Sequence, residues 1–140
     1  MPAPSVRHVF VYGSLRRGEQ RDINRLLPAP CWVGRASVAG LMHDLGAYPG
    51  VVLGGTGLVR GEVYQISAEL ERQLDEIEEV WPESSGEYAK REVAVQLDCP
   101  ASGVSAQLVC VLYEVAPARV LGKLVIAGGD WVQYRGCGAR

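Results

Sequence analysis

Residues 36–66 read ASVAGLMHDLGAYPGVVLGGTGLVRGEVYQI, apolar segments at 36–45, 48–53 and 58–66 broken by Gly46, Pro49-Gly50 and Gly54-Gly55. Glycine and proline at that spacing interrupt a helix and permit tight reversals, so the stretch predicts closely spaced strands in a meander. Upstream, residues 6–12 (Val-Arg-His-Val-Phe-Val-Tyr) form a β-branched and aromatic run that ends at Gly13-Ser14, as a buried strand entering a loop does. Residues 22–27 are expected as a short helix closed by Pro28-Ala29-Pro30, because the residue before a proline is pushed out of helical dihedrals. Downstream, Ser67 is a helix cap, and Leu70, Leu74, Ile77 and Trp81 recur on one helical face until Pro82, Ser84, Ser85 and Gly86 end it. Residues 91–97 and 107–115 read as two further strands, and the glycine-rich tail, residues 119–140, is expected on the surface or wrapped around the sheet. About six strands with one main helix predict an α+β fold. In so short a chain, the strands curl into a small mixed β-barrel to hide their edges.

A chain of 140 residues with 48% hydrophobic and 21% charged content suits a single domain over residues 1–140. At that length about two thirds of the surface of the unfolded chain is buried on folding, so neither disulfides nor a metal are needed. Fourteen Lys and Arg against sixteen Asp and Glu leave a net charge of −2. That lacks the electrostatic footprint of a general nucleic-acid binder, and a small-molecule partner is expected instead. Cys31, Cys99, Cys110 and Cys137 form no Cys-x-x-Cys pair and read as buried or incidental thiols. The first five residues lack a basic region followed by an apolar stretch, and no run of about 18 apolar residues occurs, so the expectation is a cytoplasmic protein without a membrane partner. Oligomeric state leaves no mark in the sequence.

Several motifs fail on a single residue. Gly13-Ser14-Leu15-Arg16-Arg17-Gly18-Glu19 has the glycine spacing of a phosphate loop, but Glu19 stands where lysine is required. Gly55-Thr56-Gly57 starts a dinucleotide pattern, yet Arg60 replaces the third glycine. Ser14 lacks the second glycine of a nucleophile elbow. His8 and His43 alternate with apolar neighbours and read as hydrogen-bonded, partly buried side chains. With two histidines and no ligand spacing, a catalytic metal has little support. Arg16-Arg17 reads as a solvated pair that could attract an anion.

Two features carry chemistry. Gly13 and the short Ser14 let backbone N–H groups face a ligand, a nest that suits a carboxylate or oxyanion; a plain tight turn is the competing reading. In the helix, at about 100° per residue, Asp75, Glu76 and Glu79 diverge from the apolar stripe and are expected to face water. Glu78 lies only about 70° from the stripe, where the edge of the core would raise its pKa, so it is the best general base of the helix. A glutamate that merely snorkels is the alternative, and Glu71 shares that flank.

Taken in order, the segments Val9-Phe10-Val11-Tyr12-Gly13-Ser14-Leu15-Arg16-Arg17-Gly18, Tyr48-Pro49-Gly50, Gly61-Glu62-Val63-Tyr64, Leu74-Asp75-Glu76-Ile77-Glu78, Tyr88, Val111-Leu112-Tyr113 and Gly128-Gly129-Asp130-Trp131 resemble the gamma-glutamylcyclotransferase-like (AIG2-like) family over nearly the whole chain. The resemblance implies a small β-barrel with a cavity at one end. It also implies cyclisation of a gamma-glutamyl amide to 5-oxoproline with release of the amine, without cofactor or metal. It further implies that Tyr12, Gly13, Ser14 and Leu15 hold the glutamyl portion, that Glu78 is the acid/base, and that Tyr88 and Tyr113 line the cavity. Two residues depart from the family pattern: Glu79 follows the glutamate where glycine is frequent, and Lys90 stands where arginine is common. The alternative is a non-catalytic small-molecule-binding or regulatory module of the same fold, which would have no need of a carboxylate at Glu78.

Overall fold

The computed structural model describes residues 7–78, 86–100 and 106–138. Strands β1 (Arg7–Val11), β2 (Cys31–Asp44), β3 (Pro49–Ile66), β4 (Tyr88–Leu97) and β5 (Gln107–Val115) close into a barrel in the order β1-β3-β2-β4-β5. Every neighbouring pair is antiparallel except the closing one, where β1 meets β5 in parallel with Val9 opposite Val111. The fold is the expected mixed barrel flanked by one main helix, α1 (Ala68–Ile77), and a second, α2 (Trp131–Gly138), completes it.

The barrel has five strands rather than about six because the apolar segments 48–53 and 58–66 belong to one strand. Pairing of β2 with β3 jumps from Ala39 opposite Leu58 to Gly40 opposite Leu53, so residues 54–57 bulge out of the ladder. Gly54 and Gly55 hold φ of 99° and 81° there, a conformation that favours glycine. What reads as a strand break is an interruption within one long hairpin.

β1 is apolar on both faces because both are covered. Phe10 and Tyr12 pack inside the barrel with Val38, Met42, Val63 and Leu112, while Val9 and Val11 pack outward with Leu70, Leu74 and Tyr64 against α1. α1 starts where expected: Ser67 Oγ accepts from the Leu70 N–H at 3.1 Å, and Leu70 and Leu74 are fully buried. It ends at Ile77, with Glu78 as its C-terminal cap, so the helix is shorter than the stripe to Trp81 implies; Trp81 and the stop signals at 82–85 lie outside the described residues. The short helix expected at 22–27 is a single 3-10 turn, Ile23–Arg25, capped by Asp22.

Three expectations about single residues change. Asp75 does not face water: Lys90 of β4 and Tyr113 of β5 extend past the helix and hydrogen-bond its carboxylate. Arg16 is not solvated but 6% exposed, its Nε donating to Glu62 Oε2 at 3.0 Å and its Nη1 to Asp130 Oδ1 at 2.8 Å. Arg17 remains exposed and stacks its guanidinium 4.5 Å above the Trp32 ring. His43 is buried, and its Nδ1 finds no hydrogen-bond partner among the described residues.

The tail contributes to the core as well as wrapping the sheet. The Asp44 N–H donates to the Leu124 carbonyl at 2.8 Å and the Ile126 N–H to that of Met42, while Ile126 and Trp131 join the barrel interior. Cys31 and Cys99 are exposed, Cys110 is buried, and all three are free thiols. Among the described residues no helix is long and apolar enough to cross a membrane.

Candidate active site

The loop after β1 is folded by its own backbone. The Arg16 N–H donates to the Gly13 carbonyl at 3.0 Å, the Arg21 N–H to that of Ser14 at 2.9 Å, and the Ile23 N–H to that of Leu15 at 2.9 Å. The carbonyls of residues 13–15 are thereby occupied, whereas their amides donate to no acceptor among the described residues. Gly13 is required on steric grounds: a Cβ there would come within 2.7 Å of the Pro49 ring, so the loop lies against the start of β3 only without a side chain. The Arg16 clamp fixes the loop to the barrel, because Glu62 Oε1 also accepts from the Arg17 N–H at 2.9 Å and from Tyr64 Oη at 3.0 Å. The segments 61–64 and 128–131 are therefore the anchor of this loop.

Beside the loop, a cavity of about 90 Å³ opens at one end of the barrel. Tyr12, Gly13, Ser14, Leu15, Glu78, Tyr88 and Tyr113 all line it, together with Phe10, Val11, Ile77, Arg21, Tyr48, Pro49 and Glu87. Residues separated by most of the chain thus share one wall. Glu78 reaches it because α1 stops one residue earlier, with the Glu78 N–H still bonded to the Leu74 carbonyl at 2.9 Å.

The tyrosines of the cavity spend their hydroxyl protons on the protein. Tyr12 Oη donates to the Tyr113 carbonyl at 2.7 Å, Tyr113 Oη to Asp75 Oδ1 at 2.7 Å, Tyr88 Oη to the Pro49 carbonyl at 3.3 Å, and Tyr48 Oη to Glu87 Oε2 at 2.6 Å. Burial pushes the phenols of Tyr12, Tyr88 and Tyr113 well above their ordinary range. The negative charge of Glu78 adds to the rise at all three. These phenols stay protonated and do not serve as bases at ordinary pH. Among the described residues no cluster of three or more His, Cys, Asp or Glu side chains could hold a metal.

Arg21, Tyr48 and Glu87 are cavity residues that sequence reasoning did not assign. Tyr48 carried a signal, since Tyr48-Pro49-Gly50 is among the segments of the resemblance. Arg21 carried none: its place at the rim follows from the hydrogen bond that returns its backbone to Ser14.

Comparison with known proteins agrees with this architecture. The family model described as gamma-glutamyl cyclotransferase, AIG2-like, matches residues 9–133. The chain is 41% identical over 73 residues to gamma-L-glutamyl-butirosin B gamma-glutamyl cyclotransferase of Niallia circulans, covering 51% of this chain and 46% of that protein. It is 32% identical over 120 residues to gamma-glutamylaminecyclotransferase of Bos taurus, covering 77% and 65%. The match thus spans less than two thirds of the length of either relative. The crystal structure of an AIG2-like protein from Mus musculus superposes with a TM-score of 0.71 at 24% identity, over 90% of this chain and 88% of that one, a likeness of fold. With the family model matched from β1 into α2, the chain belongs to the gamma-glutamyl cyclotransferase, AIG2-like family.

Proposed function

We propose that this protein converts a gamma-glutamyl amide into 5-oxoproline and a free amine, with Glu78 as general acid and base. The observation that carries the reading is the single cavity shared by the 13–15 loop and Glu78. The substrate's α-nitrogen attacks its own γ-carbonyl carbon, and the bond from that carbon to the amide nitrogen breaks. No water is consumed. Ring closure is intramolecular, so the protein needs to fold the substrate and move a proton more than to supply a nucleophile. The α-ammonium is mostly protonated near neutral pH; Glu78 accepts a proton from it and delivers one to the departing nitrogen. The amides of residues 13–15, which donate to no acceptor among the described residues, are donors for the α-carboxylate or for charge developing on the γ-carbonyl oxygen. Tyr12, Tyr88 and Tyr113 form part of the wall around the glutamyl portion.

The test compares the purified protein with Glu78→Gln on a panel of gamma-glutamyl amino acids and amines, following 5-oxoproline and amine by mass spectrometry. Wild-type turnover is expected to exceed that of the variant by about 10²–10⁴-fold, the range of a lost general acid–base. Equal turnover would remove Glu78 from the mechanism. No product from a folded wild type on any member of the panel would favour the non-catalytic binding module.

A further inference from the structure

Besides Glu78, the helix segment Leu74-Asp75-Glu76-Ile77-Glu78 carries Asp75, a partly buried carboxylate that this reaction leaves unused. Asp75 is held from two sides: Tyr113 Oη donates to its Oδ1 at 2.7 Å and Lys90 Nζ to its Oδ2 at 2.9 Å. Lys90 Nζ also donates to Glu71 Oε2 at 2.6 Å, and Glu71 accepts from Arg7 Nε and Nη2 at 2.9 and 3.0 Å. Alternating charges thus run from β1 along the flank of α1 and end on the hydroxyl of Tyr113, a residue that lines the cavity. The other end of Tyr113 is fixed as well, because its backbone carbonyl accepts from Tyr12 Oη.

A phenol has one proton to donate and lone pairs to accept with. With the proton committed to Asp75, Tyr113 offers the cavity acceptor capacity only. A freely rotating hydroxyl could instead turn its proton inward and meet an amine with the wrong polarity. We propose that Asp75 is a positioning residue: it holds the Tyr113 proton so that this hydroxyl accepts a hydrogen bond from the substrate's α-nitrogen beside Glu78, and Lys90 holds the Asp75 carboxylate in place. The role rests on the cyclotransferase reading above.

A double-mutant cycle over Asp75→Asn and Tyr113→Phe decides it, read by turnover of gamma-glutamyl amides and by binding of L-glutamine, which carries the same α-nitrogen and γ-amide. Asparagine keeps the shape of Asp75 and, with its carbonyl drawn to Lys90, turns an NH₂ donor towards Tyr113. In the wild-type background Asp75→Asn is expected to lower kcat about tenfold or more, the scale of a lost charge-assisted contact. In the Tyr113→Phe background it is expected to change neither kcat nor glutamine affinity. Losses that add fully in the double variant, or full kcat in a folded Asp75→Asn protein, would overturn the proposal. Glutamine binding that follows the expected cycle in a wild type that turns nothing over would uphold the Asp75 contact and sink the cyclotransferase reading. Neither binding nor turnover would sink both. Thermal melts of all four proteins separate loss of fold from loss of positioning, since a merely structural Asp75 would lower the melting temperature and leave kcat of the folded fraction unchanged.

Discussion

Arg16 joins three parts of the protein that are remote in sequence: the loop it belongs to, Glu62 46 residues on, and Asp130 114 residues on. Its side chain and that of Glu62 are each 7% exposed, so the pair is desolvated and removal of one partner strands the other charge. Arg16→Met is expected to cost about 3–5 kcal/mol of stability, measured by urea unfolding. Glu62→Gln is the milder change, because it keeps acceptor capacity for Tyr64 and for the Arg17 amide. Nothing local in Arg16-Arg17 distinguishes the two side chains, and one is interior while the other is exposed. Only the path of the distant tail decides between them.

At the scale of elements, α1 joins the barrel by its apolar stripe and by the ion pairs of Glu71. Hydrogen bonding by the Arg7 guanidinium holds the Glu71 carboxyl below its usual 4.5, with Lys90 adding to the effect against burial. A carboxyl depressed in the folded state stabilises the protein above its unfolded pKa, and that contribution is lost as the pH falls through the folded value. Urea midpoints of the wild type are therefore expected to drop between pH 6 and pH 3 more steeply than those of Glu71→Gln; parallel curves would show the pairs to be inert. The residues that could be read in advance at this scale are those whose neighbours are close in sequence. Ser67 as cap and Leu70 and Leu74 as stripe needed only helical periodicity, and β5 came out with its expected bounds. The Gly54-Gly55 bulge did not, because a glycine that breaks a strand and one that bulges within it look alike until the partner strand is present. Asp75 failed for the same reason: the helical wheel has no knowledge of Lys90 and Tyr113, which cover that flank from other elements. In the cavity, the 12–15 segment and Glu78 were legible through short motifs, whereas Arg21 and Glu87 come to the rim by tertiary folding alone.

At the scale of the molecule, α2 seals the barrel. Trp131 is 2% exposed and packs in the barrel interior, with Tyr134 stacked on it at 5.9 Å between ring centroids. Trp131→Ala is expected to cost about 3–5 kcal/mol, read from thermal or urea unfolding, the range of a large aromatic lost from a core. The parallel contact of Val9 with Val111 has a further consequence, in the order of synthesis. Tyr113 and Asp130, which complete the loop after β1, follow it by more than 100 residues of chain. At about 5–20 residues per second, the edge of β1 that meets β5 waits several seconds for its partner. During that interval β3 covers one edge of β1 while the edge that meets β5 stays open, and the glutamyl chemistry proposed for the cavity must wait for Tyr113 and Asp130 to be made.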